Sequence, residues 1–122
     1  MNIEVLRSYC LSMKFVTEEF PFDENTLVFK VYGKVFALTS LNRPDRMNLK
    51  CDPDLAIELR EQYPAVTPGW HMNKKHWNTV IFDGSVPEQK LKEWIRHSFD
   101  CVVKKMPRKV QEEIEQSFRE RK

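Results

Sequence analysis

The chain has 122 residues, 41% hydrophobic and 31% charged, with 20 Lys/Arg against 18 Asp/Glu. That is the size and balance of one soluble domain with a single core. A net charge of +2 is too small to name a partner by itself, and no apolar run approaches the roughly 20 residues of a membrane span.

The charge is unevenly spread. Residues 1–26 carry Glu4, Glu18, Glu19, Asp23 and Glu24 against Arg7 and Lys14, whereas residues 27–82 are richer in Lys/Arg than in Asp/Glu. Any basic surface is therefore expected on the central region or beyond it. Cys10, Cys51 and Cys101 are odd in number, widely spaced and without a CxxC, which fits free thiols in a reducing cytosol. The opening MNIEVLRSYC has an early acid and no signal-like apolar run. The expectation is a cytoplasmic monomer with no membrane partner.

In chain order, Ile3, Leu6, Cys10 and Met13 recur at helical spacing and predict an amphipathic helix over 2–14. Residues 18–25, EEFPFDEN, read as an acidic loop. TLVFKVY at 26–32 alternates with Leu27, Phe29 and Val31 on one face; Gly33 then allows a tight hairpin into KVFALTSL. NRPDR at 42–46 reads as a turn and MNLKC at 47–51 as a third strand. Asp52 and Pro53 start a second helix, with Leu55, Leu59 and Tyr63 as its buried stripe. Residues 69–72 and 77–82 are predicted as two further strands joined by 73–76. After Pro87, Leu91, Trp94, Ile95, Ser98, Val102 and Met106 mark a long helix. Beyond Pro107, Val110, Ile114 and Phe118 give a narrower stripe on a charged surface helix. The order α-β(3)-α-β(2)-α, plus a C-terminal helix, predicts an α+β two-layer sandwich with one antiparallel sheet covered by helices. Residues 1–109 form the domain and 110–122 its helical extension.

TPGWHMNKKHWNTV, residues 67–80, holds two of the three tryptophans and two of the three histidines, with no acid. Lys74 and Lys75 in a turn beside Trp70 and Trp77 suit phosphate contact with aromatic stacking, and Lys34, Arg43 and Arg46 sit at other predicted turns. The competing reading packs the tryptophans on the sheet and leaves the lysines as solvated turn residues. His71 and His76 are five apart, on opposite faces of a strand, so they predict no metal site. Their place is with Trp70 in packing or in a small-molecule site. His97 and Cys101 share one side of the long helix, but its apolar stripe directs His97 to solvent and Cys101 to the border, without the third group a catalytic pair needs. The acid pairs at 18–19 and 23–24 read as solvated charge. No GxGxxG, P-loop, GxSxG or HExxH occurs, so no enzyme activity, cofactor or metal is expected.

Several segments resemble the MmcQ/YjbR family: the FPF loop at 20–22, LVFKVYGKVFAL at 27–38, MNLKCDP at 47–53, LREQYPAVTPGWHMNKKHWNTV at 59–80 and HSFDCVVKKMP at 97–107. The similarity runs from about residue 3 to 109. It implies a compact α/β domain likened to CyaY-type and secretion-chaperone-like two-layer folds. It also implies a proposed DNA-binding role through a double wing of β-hairpins. Carried onto this chain, the tips are 32–34, 42–46 and 73–76, with Lys34, Arg43, Arg46, Lys74, Lys75 and Trp77 as the binding residues. The low net charge and acidic first loop make the expected binding weak and non-specific. The alternatives are a protein-interaction module, using an apolar groove or the tail helix, and a small-molecule binder at Trp70, His71 and His76.

Overall fold

The structure, a computed structural model, describes residues 1–70 and 72–120. Its elements are α1 (Ile3–Ser12), β1 (Val16–Glu19), β2 (Thr26–Val31), β3 (Lys34–Ser40), β4 (Arg43–Lys50), α2 (Pro53–Gln62), β5 (Val66–Pro68), β6 (Trp77–Ile81), α3 (Glu88–Val103) and α4 (Arg108–Arg119). All strand pairs are antiparallel, in the order β1-β2-β3-β4-β6-β5. The α+β class stands, with four strands before α2 where three were expected.

Capping chemistry sets the first two helix starts. Asn2 accepts from the Val5 amide at 2.9 Å. Asp52 accepts from the Asp54 and Leu55 amides, each at 3.2 Å, ahead of Pro53 at the first helical position. The buried stripe of α2 is Ala56 and Leu59; Leu55 and Tyr63 are half-buried instead.

Register assigns the two faces of the sheet. Phe29 pairs with Ala37, Ala37 with Leu49 and Leu49 with Asn78, so these four side chains share a face. The helices cover that face. Arg7 of α1 holds Glu18 of β1 at 2.5 and 2.7 Å, and the Asn78 side chain donates to the Ala56 carbonyl of α2. Phe99 of α3 meets Phe36 edge-on at 5.4 Å. Phe29, Phe36, Phe99, Leu6, Met47 and Ile95 are fully buried. Phe36 occupies the register shift between β2 and β3, a bulge that leaves its carbonyl beside β4 without a ladder partner. The Ser98 hydroxyl of α3 closes this gap. It accepts from the Lys50 amide at 2.8 Å and donates to the Phe36 carbonyl.

Three expectations change. The first two residues of the expected acidic loop, Glu18 and Glu19, end an edge strand, β1, whose Val16 and Glu18 turn inward while Thr17 and Glu19 face out. The inward charge is met by Arg7, and charged side chains are how exposed edges resist further pairing. The predicted turn at 42–46 is mostly strand, because the chain reverses over Leu41 and Asn42 and Arg43 already pairs with Ser40. The strand expected at 69–72 lies earlier, at Val66–Pro68, where Pro68 is tolerated on an edge. The tail helix α4 does lie on the surface. It buries Ile114, sets Phe118 edge-on to Phe99 at 6.0 Å, and takes the Tyr32 hydroxyl on Glu113 at 2.7 Å. Among the described residues no helix is long and apolar enough to cross a membrane.

Candidate ligand-binding trough on the open sheet face

The face opposite the helices is built from the alternate residues: Thr26 and Val28 on β2, Leu38 and Ser40 on β3, Arg46, Asn48 and Lys50 on β4, and Trp77 and Thr79 on β6. A trough of about 630 Å³ lies here. Its floor is strand side chains, among them Leu38, Asn48 and Trp77. Its walls come from two loops. Phe22, 71% exposed, stands on one side, and Trp70, 53% exposed, with Met72 on the other.

The loop after β5 is held over the sheet by contacts distant in sequence. The Gly69 amide donates to the Trp77 carbonyl at 2.8 Å, so close that a Cβ on Gly69 would sit 2.7 Å from the Trp77 Cβ. The Trp70 amide donates to the Thr79 hydroxyl at 3.1 Å, and that hydroxyl donates to Asn48 Oδ1. From α2, Arg60 reaches Asn78 Oδ1 at 2.7 Å and the carbonyls of Lys74 and Trp77.

Two guanidiniums border the trough. Arg46 is held by Asp45 at 2.9 and 3.0 Å, and that contact keeps the Asp45 carboxyl below its ordinary range. Arg43 lies over the Trp70 ring, 5.4 Å from its centroid, and makes no ion pair among the described residues. The described lining contains no carboxylate, thiol or imidazole. An apolar concave surface carrying a planar cation that lies over an indole and makes no direct ion pair can take a flat apolar body with a negative group at its edge.

The model of the YjbR family matches residues 11–101. The chain belongs to the YjbR family. Among its relatives are two Escherichia coli proteins, each bearing the name of an uncharacterized protein. YbdF of strain O157:H7 is 35% identical over 112 residues, covering 91% of this chain and 92% of the relative. YjbR of strain K12 is 34% identical over 109 residues, covering 88% and 92%. A crystal structure of a Deinococcus radiodurans protein is 43% identical, with a TM-score of 0.86 over 92% of this chain and 86% of that one. A Pseudomonas syringae protein is 27% identical, with a TM-score of 0.71 over 83% and 98%.

Within this YjbR-family frame the cations singled out from the sequence do not gather on one rim. Val31 pairs with Lys34, and Lys50 with Trp77, so the tips at 32–34 and 73–76 lie at one end of the sheet. Arg43, paired with Ser40, marks the opposite end. Lys74 folds back and donates to the Gly69 carbonyl at 3.0 Å, so it pins its own loop. Lys75 is exposed, its amide on Asn73 Oδ1 at 2.9 Å. Of the predicted residues, the trough unites Arg43, Arg46, Trp70 and Trp77. His76 is half-buried and uses its carbonyl to accept from the Cys51 amide at 2.8 Å. His71 lies outside the described residues.

Phe22, Leu38, Asn48 and Met72 were missed. Leu38 and Asn48 are cross-strand partners on the face opposite Phe29 and Leu49, and an alternation count carries that much. Nothing in the local pattern places Phe22 or Met72 over them.

His97 also departs from expectation. It is half-buried, not solvent-directed. Its Nε2 accepts from the Asp52 amide at 3.3 Å and lies 3.3 Å from the Cys101 sulfur. Burial pushes the Cys51 thiol up to about 12 and raises Cys10 and Cys101 as well. Thiols in that state are packing groups rather than nucleophiles. Among the described residues no three His, Cys, Asp or Glu side chains cluster to hold a metal.

Proposed function

We propose that this YjbR-family chain is a binding protein whose open-face trough holds a small, flat, largely apolar anion. The observation that carries this reading is Arg43, in no direct ion pair among the described residues, lying over Trp70 at the mouth of a 630 Å³ apolar trough. That volume lies in the ordinary range for small-molecule sites, which are mostly apolar with a few fixed polar groups. Ser40 and Asn48 supply such groups. The described lining holds the hydroxyls of Thr26, Thr39 and Ser40 but no carboxylate, thiol or imidazole beside them.

The probe is 8-anilinonaphthalene-1-sulfonate, a flat apolar monoanion, followed by its own fluorescence and by tryptophan quenching. Saturable one-to-one binding is expected, with Arg43→Met weakening it at least about fivefold and Trp70→Ala at least about tenfold, both with the wild-type melting temperature. Binding that is not saturable, or is indifferent to both substitutions, sinks the proposal.

The exposed indole and its guanidinium also favour a second reading, weak and non-specific nucleic-acid binding through the same face. Bases would stack on Trp70, with phosphates on Arg43 and Lys75. Few cations serve this face, so the total salt slope is small, at about 0.7 per phosphate contact for a single strand. A twelve-residue oligothymidylate that displaces the probe at low salt, and loses that ability by about 200 mM salt, selects this reading. Failure to compete at low salt removes it.

A further inference from the structure

The end of the sheet away from Arg43 carries a second concave site. A cleft of about 420 Å³ is lined by Lys34, Lys50 and Lys105 together with Val35, Val102 and Met106. Three elements bring the lysines together: Lys34 opens β3, Lys50 closes β4, and Lys105 follows α3. The β2–β3 turn is fixed by Tyr32 and Gly33, both at positive φ, with Tyr32 held by the Phe15 ring at 5.0 Å and by Glu113. Lys50 is positioned by its amide on the Ser98 hydroxyl and by pairing with Trp77. The cleft is therefore framed by ordered backbone, not by free tails.

Its charge is uncompensated. None of the three lysines makes an ion pair with a carboxylate among the described residues, although Lys14, Lys30, Lys90 and Lys92 all do. No acid lines the cleft. Lys50 is half-buried; burial first, and Lys105 second, hold its ammonium below the usual lysine range. Like charges lining one cleft, Lys50 beside Lys105 above all, cost free energy that a multiply charged anion between them would relieve.

We infer that the cleft of Lys34, Lys50 and Lys105 is a phosphate-binding site, for a phosphate dianion either free or as a monoester. The donor type decides the chemistry. Ammonium groups are compact point charges that converge from different directions, which suits a tetrahedral oxyanion; a planar carboxylate is better met by a guanidinium fork. Val35 lines this cleft and the trough alike, so a monoester has apolar surface next to its phosphate. The site uses none of the cations assigned to the trough, so it stands or falls separately.

The test is a backbone and lysine-side-chain NMR titration of the full chain at constant ionic strength, with inorganic phosphate, phenyl phosphate and acetate as probes. Saturable shifts centred on Lys34, Lys50 and Lys105 are expected with both phosphates, and binding of acetate at least about tenfold weaker. Lys105→Met, at an exposed position, should weaken phosphate about tenfold, and Lys34→Met with Lys105→Met further. Lys90→Met, on the outer side of α3, should leave it unchanged. If phenyl phosphate binds tighter than phosphate and also shifts Val35 and Trp77, the group is a monoester. Equal affinities with shifts confined to the lysines assign free phosphate. Non-saturating shifts that sodium chloride reproduces, or Lys105→Met and the double variant binding as wild type, overturn the inference. The trough reading is tested by variants at Arg43 and Trp70 and this one by variants at Lys34 and Lys105, so the two readings fail distinguishably.

Discussion

The two faces of one sheet divide the work of this molecule. On the covered face Phe29, Phe36, Met47 and Leu49 are sealed beneath helices together with the buried polar groups Asn78 and Ser98, and the Ser98 hydroxyl has both its hydrogen bonds. On the open face the alternate residues of the same strands meet two loops, and large apolar groups such as Phe22 and Trp70 stay exposed. Adjacent residues thus serve opposite ends: Ala37 packs the core while Leu38 floors the trough. A β-strand can do this because successive side chains point to opposite sides. Stability should therefore reside in one set of residues and binding in the other.

The sharpest test of that division is a pair of truncations in neighbouring parts of β3. Phe36→Ala is expected to cost about 3–5 kcal/mol in urea unfolding, since it leaves a cavity among fully buried rings. Leu38→Ala should cost about 1 kcal/mol or less while weakening the naphthalene probe. Comparable destabilisation by both would mean that the open face is packed as a second core.

Next in size is Ser98→Ala. It leaves the Lys50 amide and the Phe36 carbonyl without partners in a buried place, and should cost about 1–3 kcal/mol. Ser98→Thr, which keeps a hydroxyl, reports whether the loss is hydrogen bonding or space. An alanine variant as stable as wild type would show that the splay between β3 and β4 closes by itself.

The smallest effect belongs to the rim of the covered face. The Arg7 guanidinium, hydrogen-bonded to Glu18, holds that carboxyl below its ordinary value of 4.5. A carboxylate whose folded pKa is depressed adds stability above its unfolded pKa and loses it as pH falls through the folded one. Wild type should therefore melt slightly above Arg7→Met at neutral pH, and calorimetry should show the gap closing as the solution is acidified below the usual glutamate range. A gap that persists in strong acid would locate the Arg7 contribution in packing of its stem.

How much of this was legible in the chain follows from the range of the forces involved. The helix at 88–103, the hairpin at Gly33 and the cap at Asp52 rest on periodicity, turn sterics and capping, all local. β1 escaped because Glu18 looks like loop charge until Arg7, eleven residues earlier, is seen to meet it. The pairing of Arg43 with Trp70 was half-legible, since both residues stood out as candidates but nothing nearby joins them. Lys74 read as a turn cation, and only the fold shows its ammonium donating to a carbonyl of its own loop.

The sequence alone determined the four helices, the alternation that gives the sheet its two faces, and the family. Tertiary structure decided which face was left open, which cations stayed unpaired, and where the loop carrying Trp70 came to rest. Those outcomes depend on Arg60 reaching from α2 and on Gly69 lying against Trp77. Such contacts exist only once distant segments have packed, so no local pattern encodes them.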